Sequence, residues 1–182
     1  MMNLRRGAAL AVLAVAVAAA SAGCGGESGE GVETFEEEGF AITFEHPDSF
    51  TEIEDITIAS TAGAASKATS ARGLDDRNVI LVSRYDLRVS IGEENLTDVK
   101  AELDGVVSQA ADQELGGTEI EFGGLPGYEY NFDLDTQPPV RSRFVVLFDG
   151  RTEYTLNCQS TSERRDEVEP ACQQALDTLE TG

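Results

Sequence analysis

The clearest alternation of apolar and polar residues lies in the last third of the chain, where it predicts a β-hairpin. Phe144–Phe148 is a run of five apolar residues, typical of a strand covered on both faces. Asp149-Gly150 follows, and this dipeptide favours the positive φ angles of a tight turn. Apolar residues at 154, 156 and 158 alternate with polar ones, which predicts a return strand with one buried face.

Shorter segments with the same two patterns predict the remaining strands. They are residues 40–44, 51–58, 79–85, 118–122 and 128–134. The segment 79–85 is almost continuously apolar, so we expect a central strand there. Gly123–Gly127 is predicted to be a turn. Residues 59–78 are mostly Ala, Ser, Thr and Gly and predict a long, mobile surface loop.

The first of two predicted helices covers residues 95–111. Asn95 is the expected N-cap, and apolar residues recur at spacings of three and four along the segment. Gly116-Gly117 is expected to end the helix.

The second predicted helix closes the chain at residues 163–180. Ser162 can cap a first turn, and Pro170 is placed in the first turn of the final helix because proline disrupts a helix interior. The expected buried stripe is Val168, Cys172, Ala175, Leu176 and Leu179. The order of strands, helix, strands and helix predicts an α+β domain with helices packed on an antiparallel sheet.

The N-terminal segment 1–23 has the pattern of a signal peptide. Arg5 and Arg6 precede residues 8–20, which are only Ala, Leu and Val. Thirteen apolar residues are too few to span a bilayer, which needs about 20, but they suit the core of a signal peptide.

Two processing sites are possible after this core. Cleavage after Ala22, at an A-x-A pattern, would release a secreted protein. Alternatively, Ser21–Cys24 resembles a bacterial lipobox, in which Cys24 becomes the first residue and carries a diacylglyceryl group with palmitate-type chains. Ser21 stands where a lipobox usually has Leu. We favour lipidation, because a secreted form would leave Cys24 as an odd free thiol.

The mature chain is predicted to have an acidic, Gly-rich tether at 24–38 and one domain at 39–182, with an edge strand near Val32 and Phe35. The protein has 13 basic and 34 acidic residues, a net charge of −21. Such a charge repels nucleic acid and anionic headgroups, so we exclude DNA and RNA binding and adsorption through a basic patch. The acidity favours solubility, or else a basic partner or a cation.

Cys158 and Cys172 are predicted to form a structural disulfide. An oxidising compartment permits it, and the remaining cysteine count is even once Cys24 is acylated. A zinc site would need more Cys or His, since His46 is the only histidine. Redox-active cysteines are usually closer in sequence.

No residue pattern indicates catalysis or a cofactor, so we predict that the protein is not an enzyme. A Ser-His-Asp triad would have to use His46, which is expected to be a polar loop residue. Asp75-Asp76 and Asp133-Leu134-Asp135 match no calcium loop. Alternation places Tyr85, Tyr128, Tyr130 and Tyr154 in the core or on a sheet face rather than on a ligand platform.

Several short motifs resemble actinobacterial envelope lipoproteins of the Mog1/PsbP-like type. They are 94–100 (ENLTDVK), 124–130 (GLPGYEY), 148–154 (FDGRTEY), 157–161 (NCQST) and the Ala-Cys before the final helix at 171–179. The resemblance covers about residues 38 to 180. It implies an α/β/α sandwich with a central antiparallel sheet, in a class of binding and assembly factors whose contact residues have no counterpart here.

The sequence therefore predicts a membrane-anchored, extracytoplasmic binding or assembly module of the cell envelope. Its expected partners are the membrane, through the lipid on Cys24, and an envelope protein. The alternative is a carrier of a small ligand or lipid, which would need an apolar cavity between sheet and helix.

Overall fold

The structure is a computed structural model that describes residues 31–54 and 68–182. The predicted signal peptide and Cys24 lie outside the described residues, as do 55–58 of the second predicted strand and 59–67 of the predicted loop. The elements, in chain order, are β1 (Val32–Phe35), β2 (Ile42–Pro47), β3 (Thr51–Glu52), β4 (Ala68–Asp75), β5 (Asn78–Ile91), α1 (Leu96–Ala111), β6 (Thr118–Phe122), β7 (Leu125–Leu134), β8 (Val140–Thr161), α2 (Arg165–Asp177) and β9 (Glu180–Thr181).

A large antiparallel sheet in the order β3-β4-β5-β8-β7-β6 forms the centre of the molecule. One face packs against α1 through an aromatic cluster that includes Tyr128, Tyr130 and Phe132. The other face packs against α2 and the small sheet β1-β2-β9, through a cluster that includes Val145 and Leu156. The predicted α+β sandwich with a central antiparallel sheet is confirmed.

Strand β8 doubles back on itself and supplies two neighbouring arms of this sheet. Its first arm pairs with β7 and its second arm with β5. The Ser142 hydroxyl donates to Asn157 Oδ1 over 2.7 Å, whereas 15 residues of straight strand would span roughly 50 Å. The hairpin is thus present, but only Gly150 has a positive φ, of 56°. The expectation of a positive φ at Asp149 is wrong.

The first strand begins before Gly39, the predicted start of the domain. β1 forms within the segment predicted to be a tether and pairs with β2 in the small sheet. The Phe35 side chain is buried in the hydrophobic cluster on the α2 side of the large sheet. The expected edge strand at Val32 and Phe35 is therefore present.

The predicted loop at 59–78 is wrong for residues 68–75, which form β4 and pair with β5 along their length. The strand has few apolar side chains, and its close fit to β5 depends on small ones. A Cβ at Gly73 would lie 2.6 Å from the Asn78 main-chain oxygen. Asp75 Oδ1 accepts hydrogen bonds from the main-chain N–H groups of Arg77 and Asn78 and closes the turn to β5.

The predicted turn at 123–127 is shorter in the structure. Only Gly123 and Gly124 form it, with φ angles of 58° and 75°, and β7 already begins at Leu125.

The predicted boundaries of both helices need correction. Asn95 precedes α1 but makes no side-chain cap; its amide instead bonds Gly92 N and Ser90 O in the preceding turn. Asp112, with a φ of 50°, ends α1 in place of Gly116-Gly117.

Pro170 lies inside α2 rather than in its first turn, because the helix begins at Arg165. Ser162 does not cap it. Val168 and Ala171 carry the buried stripe across the exposed proline, so packing against the sheet outweighs the lost hydrogen bond. All five residues of the predicted stripe are buried.

Polar contacts as well as apolar ones fix α1 on the sheet. Asp104 accepts hydrogen bonds from the Tyr130 hydroxyl, from Gly117 N and from Lys100 Nζ. Burial raises the pKa of Asp104, but these hydrogen bonds outweigh it and hold the pKa below its usual value. Within the described ranges, no helix is long and apolar enough to cross a membrane.

Candidate functional site

An open cleft of about 400 Å³ lies between α2 and the strands β7 and β8. We call it the arginine cleft. It is lined by Glu129, Asn131, Arg141, Arg143, Cys158, Ser160, Val168, Glu169, Cys172 and Gln173.

Alternation along β7 and β8 places the polar side chains of the arginine cleft on one face of the sheet. Tyr128 and Tyr130 point to the α1 side, so Glu129 and Asn131 point to the α2 side. In the register of the two strands, Asn131 faces Arg143. α2 covers the apolar part of this face and leaves its polar end open.

Arg143 is held in place by partners on two elements. Its guanidinium donates to Glu129 Oε2 and to Gln173 Oε1, each over 2.8 Å. Asn131 in turn donates to Glu129 Oε1 over 2.7 Å. Arg143 Nε is buried and has no hydrogen-bond partner among the described residues. An unmet buried donor costs about 1–3 kcal/mol, so Arg143 is held at some cost in stability.

Arg141 is the less committed of the two arginines in the cleft. Its guanidinium makes one contact within the described part of the chain, at 3.4 Å to Asp133 Oδ1, and that carboxylate is 66 % exposed. A guanidinium has five N–H donors in a fork that fits a carboxylate. The remaining donors of Arg141 are therefore free to bind an anionic or carbonyl group.

The predicted disulfide between Cys158 and Cys172 forms one wall of the arginine cleft. It joins the second arm of β8 to α2, and both cysteines are buried. The bond fixes the position of the helix that presents Gln173 to Arg143.

The histidine considered for catalysis lies outside this cleft. His46 is in β2 and 1 % exposed, so the expectation of a polar loop residue is wrong. Its Nδ1–H donates to the Pro47 carbonyl over 3.0 Å, and its ring packs near Phe44. This contact is to a main-chain oxygen rather than to the carboxylate that a catalytic triad requires.

The other candidates from the sequence take structural positions. Tyr128, Tyr130 and Tyr154 are buried core residues, as predicted, and Tyr85 is half-buried. Asp75 is engaged in a turn. In residues 31–54 and 68–182, no group of three or more His, Cys, Asp or Glu side chains could hold a metal ion.

Glu153 is an acidic residue that no pattern in the sequence singles out. It lies on the α1 side of β8, opposite Tyr85 of β5. Burial raises the pKa of Glu153 from 4.5 to about 7. The folded state therefore favours the neutral carboxyl, and the charged form destabilises the protein at higher pH.

Glu153→Gln is expected to stabilise the protein by about 1–2 kcal/mol at pH 8.5 and by almost nothing at pH 4. The rise in pKa from 4.5 to about 7 corresponds to a loss of about 3 kcal/mol at most in the free energy of unfolding when Glu153 is charged. Because the Glu153 side chain is partly exposed, the actual loss is smaller. The penalty is complete above pH 7 and is relieved as the pH falls from 7 to 4.5. Urea unfolding at both pH values measures it, with exposed Glu102→Gln as the control. An equal gain at both pH values would contradict this explanation.

A second cavity, of about 510 Å³, lies where the start of α1 meets β6, and its lining includes Glu93, Glu119 and Glu121. Both cavities are lined mainly by polar and charged side chains. Neither has the apolar lining that a lipid carrier requires.

The polar residues of the arginine cleft were not predicted from the sequence, although its disulfide wall was. Arg141 and Arg143 occupy alternate positions before an apolar run, and this spacing is the only local sign that both lie on one face. Nothing local shows that Gln173 completes the site.

Comparison with protein-family models finds no match, and no curated protein matches the chain. Solved structures do match at low identity. PsbP (CyanoP) of Synechocystis sp. PCC 6803 has a TM-score of 0.58 at 14% identity, over 88% of this chain and 98% of that chain. A crystal structure from Bacteroides thetaiotaomicron VPI-5482 gives 0.56 at 11%, over 82% of this chain and 48% of that chain.

A third match is LpqN of Mycobacterium tuberculosis, described as involved in cell envelope biogenesis, with a TM-score of 0.48 at 12% identity, over 83% of this chain and 92% of that chain. The fold assignment depends on the first match, which spans nearly all of both chains. The protein has a PsbP-like fold, as the resemblance in its sequence implies.

Proposed function

We propose that this protein is an extracytoplasmic lipoprotein of the cell envelope, anchored through Cys24, that binds a partner protein and catalyses no reaction. The observation that carries the proposal is the arginine cleft, an open polar site in which the Arg141 guanidinium has one ion-pair contact among the described residues, at 3.4 Å to Asp133. The disulfide supports the compartment, because such bonds persist in oxidising environments. Cleavage after Ala22 would instead make the same module a secreted protein.

The ligand group best suited to the arginine cleft is a carboxylate on the partner. Arg141 can bind it with two parallel hydrogen bonds, as guanidinium and carboxylate groups commonly do. Asn131, Ser160 and Gln173 supply neutral polar groups around it. Glu129 pairs with Arg143 at 2.8 Å, whereas Arg141 has a longer contact, of 3.4 Å, to the exposed Asp133, so Arg141 is the arginine better able to bind a further carboxylate.

Arg141→Gln is expected to reduce partner binding by about tenfold, because a hydrogen bond to a charged group contributes about 1.5–3 kcal/mol. A photo-cross-linking amino acid at Glu169, on the exposed rim of the cleft, would report this binding in cells. The wild-type protein should give a discrete cross-linked protein, and the Arg141 variant should give about one tenth of it.

Arg77→Gln is the matched control, since Arg77 is also an exposed arginine but lies in the turn between β4 and β5. An equal loss in both variants would contradict a specific role for the cleft. Loss of cellular function in Glu129→Gln with cross-linking unchanged would indicate catalysis instead of binding.

A further inference from the structure

The end of β5 bulges out of the sheet and exposes an apolar side chain. The register of β5 and β8 shifts between Asp86 and Ile91, so Leu87–Ser90 face the single residue Arg151. Bulges redirect side chains away from the regular alternation of a strand. Val89, within this bulge, is 62 % exposed, more than any other large hydrophobic side chain in the described ranges.

Two arginines at this bulge, Arg88 within it and Arg151 opposite it, form no ion pair with a carboxylate of the described residues. The described residues include ten Lys and Arg, and seven of them form ion pairs with a carboxylate. Arg88 and Arg151 form none, and the contact of Arg151 is a hydrogen bond from Nε to the Leu87 carbonyl. In a protein with 34 acidic residues, two neighbouring unpaired arginines beside an exposed valine favour an external partner.

Acidic residues near the bulge do not neutralise these arginines. Asp149 and Glu94 are exposed and close in sequence to the two strands. Neither is among the carboxylates that form ion pairs in the described part of the chain. Asp86 also lies nearby, but it pairs with Arg84 at 3.0 Å. Apart from Arg151 Nε, which donates to the Leu87 carbonyl, the donors of the two guanidiniums are therefore available.

The bulge lies at the opposite end of the sheet from the first described residue. Gly31 lies beside Asp48, because the Asp48 N–H donates to the Gly31 carbonyl over 2.8 Å. Three residues after Asp48, Thr51 begins β3 and pairs with Gly73 of β4, which in turn pairs with Val79 of β5. The first described residue is therefore near the Val79 end of β5. Ten residues of strand separate this end from Val89, or roughly 30 Å. The bulge is therefore distant from the residue at which the described part of the chain begins.

We infer that the bulge formed by Leu87–Ser90, together with Arg151, is a docking surface for an acidic segment of a partner protein. Carboxylates on that segment bind Arg88 and Arg151, and an apolar side chain between them packs on Val89. The inference rests on the proposed function as a binding module, but it is independent of the arginine cleft.

A fluorescent twelve-residue peptide of alternating Glu and Val tests this surface. Its anisotropy is titrated with the full chain, extracted from its own membranes in detergent, at low and at physiological salt. The expected result is binding that weakens with salt and that falls about tenfold or more in the double variant Arg88→Glu, Arg151→Glu. Both arginines are exposed, so the variant should keep its stability within about 0.5 kcal/mol.

Arg77→Glu is the control and is compared with each single variant, Arg88→Glu and Arg151→Glu, because it makes the same charge change at an exposed arginine that forms no ion pair in the described part, at the other end of β5. Equal weakening in the control, or no peptide binding by the wild-type chain, would overturn the inference. Binding to phosphatidylglycerol vesicles is measured in parallel. If the double variant lost vesicle binding but kept peptide binding, the bulge would be a membrane contact and the inference would also be overturned. The acyl mass on Cys24 is measured separately, so failure of the anchor and failure of the docking surface are distinguishable.

Discussion

Gly127→Ala is expected to destabilise the protein by about 3 kcal/mol or more, a large part of the stability of a typical domain. A Cβ at this position would lie 1.9 Å from the main-chain oxygen of Val146. The clash is with backbone in the middle of the sheet, where Gly127 pairs with Leu147, so no side chain can rotate away to relieve it. Strands β7 and β8 would have to separate, and these strands carry much of the arginine cleft.

Gly105→Ala is the matched control for this prediction. Gly105 is exposed in α1, and a Cβ there would meet nothing within 4 Å. Alanine is the better helix former, so this variant should be more stable by about 0.5–1 kcal/mol. Urea unfolding of the two variants should therefore give shifts of opposite sign. A loss below about 1 kcal/mol for Gly127→Ala would contradict the close approach of β7 and β8.

Replacing both Cys158 and Cys172 with Ala is expected to cost about 3 kcal/mol. The bond closes a loop between residues 14 apart in sequence, and its loss releases that loop in the unfolded state. Chemical denaturation of the wild type and the double variant, each with and without reductant, measures the effect. Reductant should lower the stability of the wild type to about that of the double variant and leave the double variant unchanged.

The same substitution should also affect the arginine cleft. The disulfide fixes α2, which presents Gln173 to Arg143. We therefore expect weaker cross-linking at Glu169 even where the double variant is fully folded. Full stability in the double variant, together with no response of the wild type to reductant, would show that the bond is absent from the protein in solution.

The order of elements follows from the sequence wherever side-chain burial determines it. Tyr128, Tyr130 and Phe132 recur at every second residue and are all buried on the α1 side of β7. The stripe along α2 is equally clear in the sequence, and it outweighs the break that Pro170 predicts.

Elements held by main-chain pairing were harder to predict. β4 contributes Ala71 and Gly73 to its buried face, so it has almost no hydrophobic pattern, yet it hydrogen-bonds to β5 along its length. His46 was misplaced for a related reason. A histidine before Pro-Asp is typical of a loop, but here it is the last inward-facing residue of β2.

The arginine cleft depends on contacts between residues distant in sequence. Glu129, Arg143 and Gln173 come from three elements, and each alone is typical of a solvated position. Their meeting depends on where the disulfide holds α2 relative to β7. The bulge was missed because the alternation of β5 breaks down there, and sequence patterns identify strands by that alternation.

Native mass spectrometry on protein extracted gently from its own membranes tests the central claim most directly. The proposal predicts a chain that begins at Cys24, carries a diacylglyceryl mass and retains a bound protein that is lost in Arg141→Gln. A chain that begins after Ala22 without acylation and without a bound protein would contradict it. A small lipid held within the fold in place of a protein would contradict it as well, and would establish the carrier alternative.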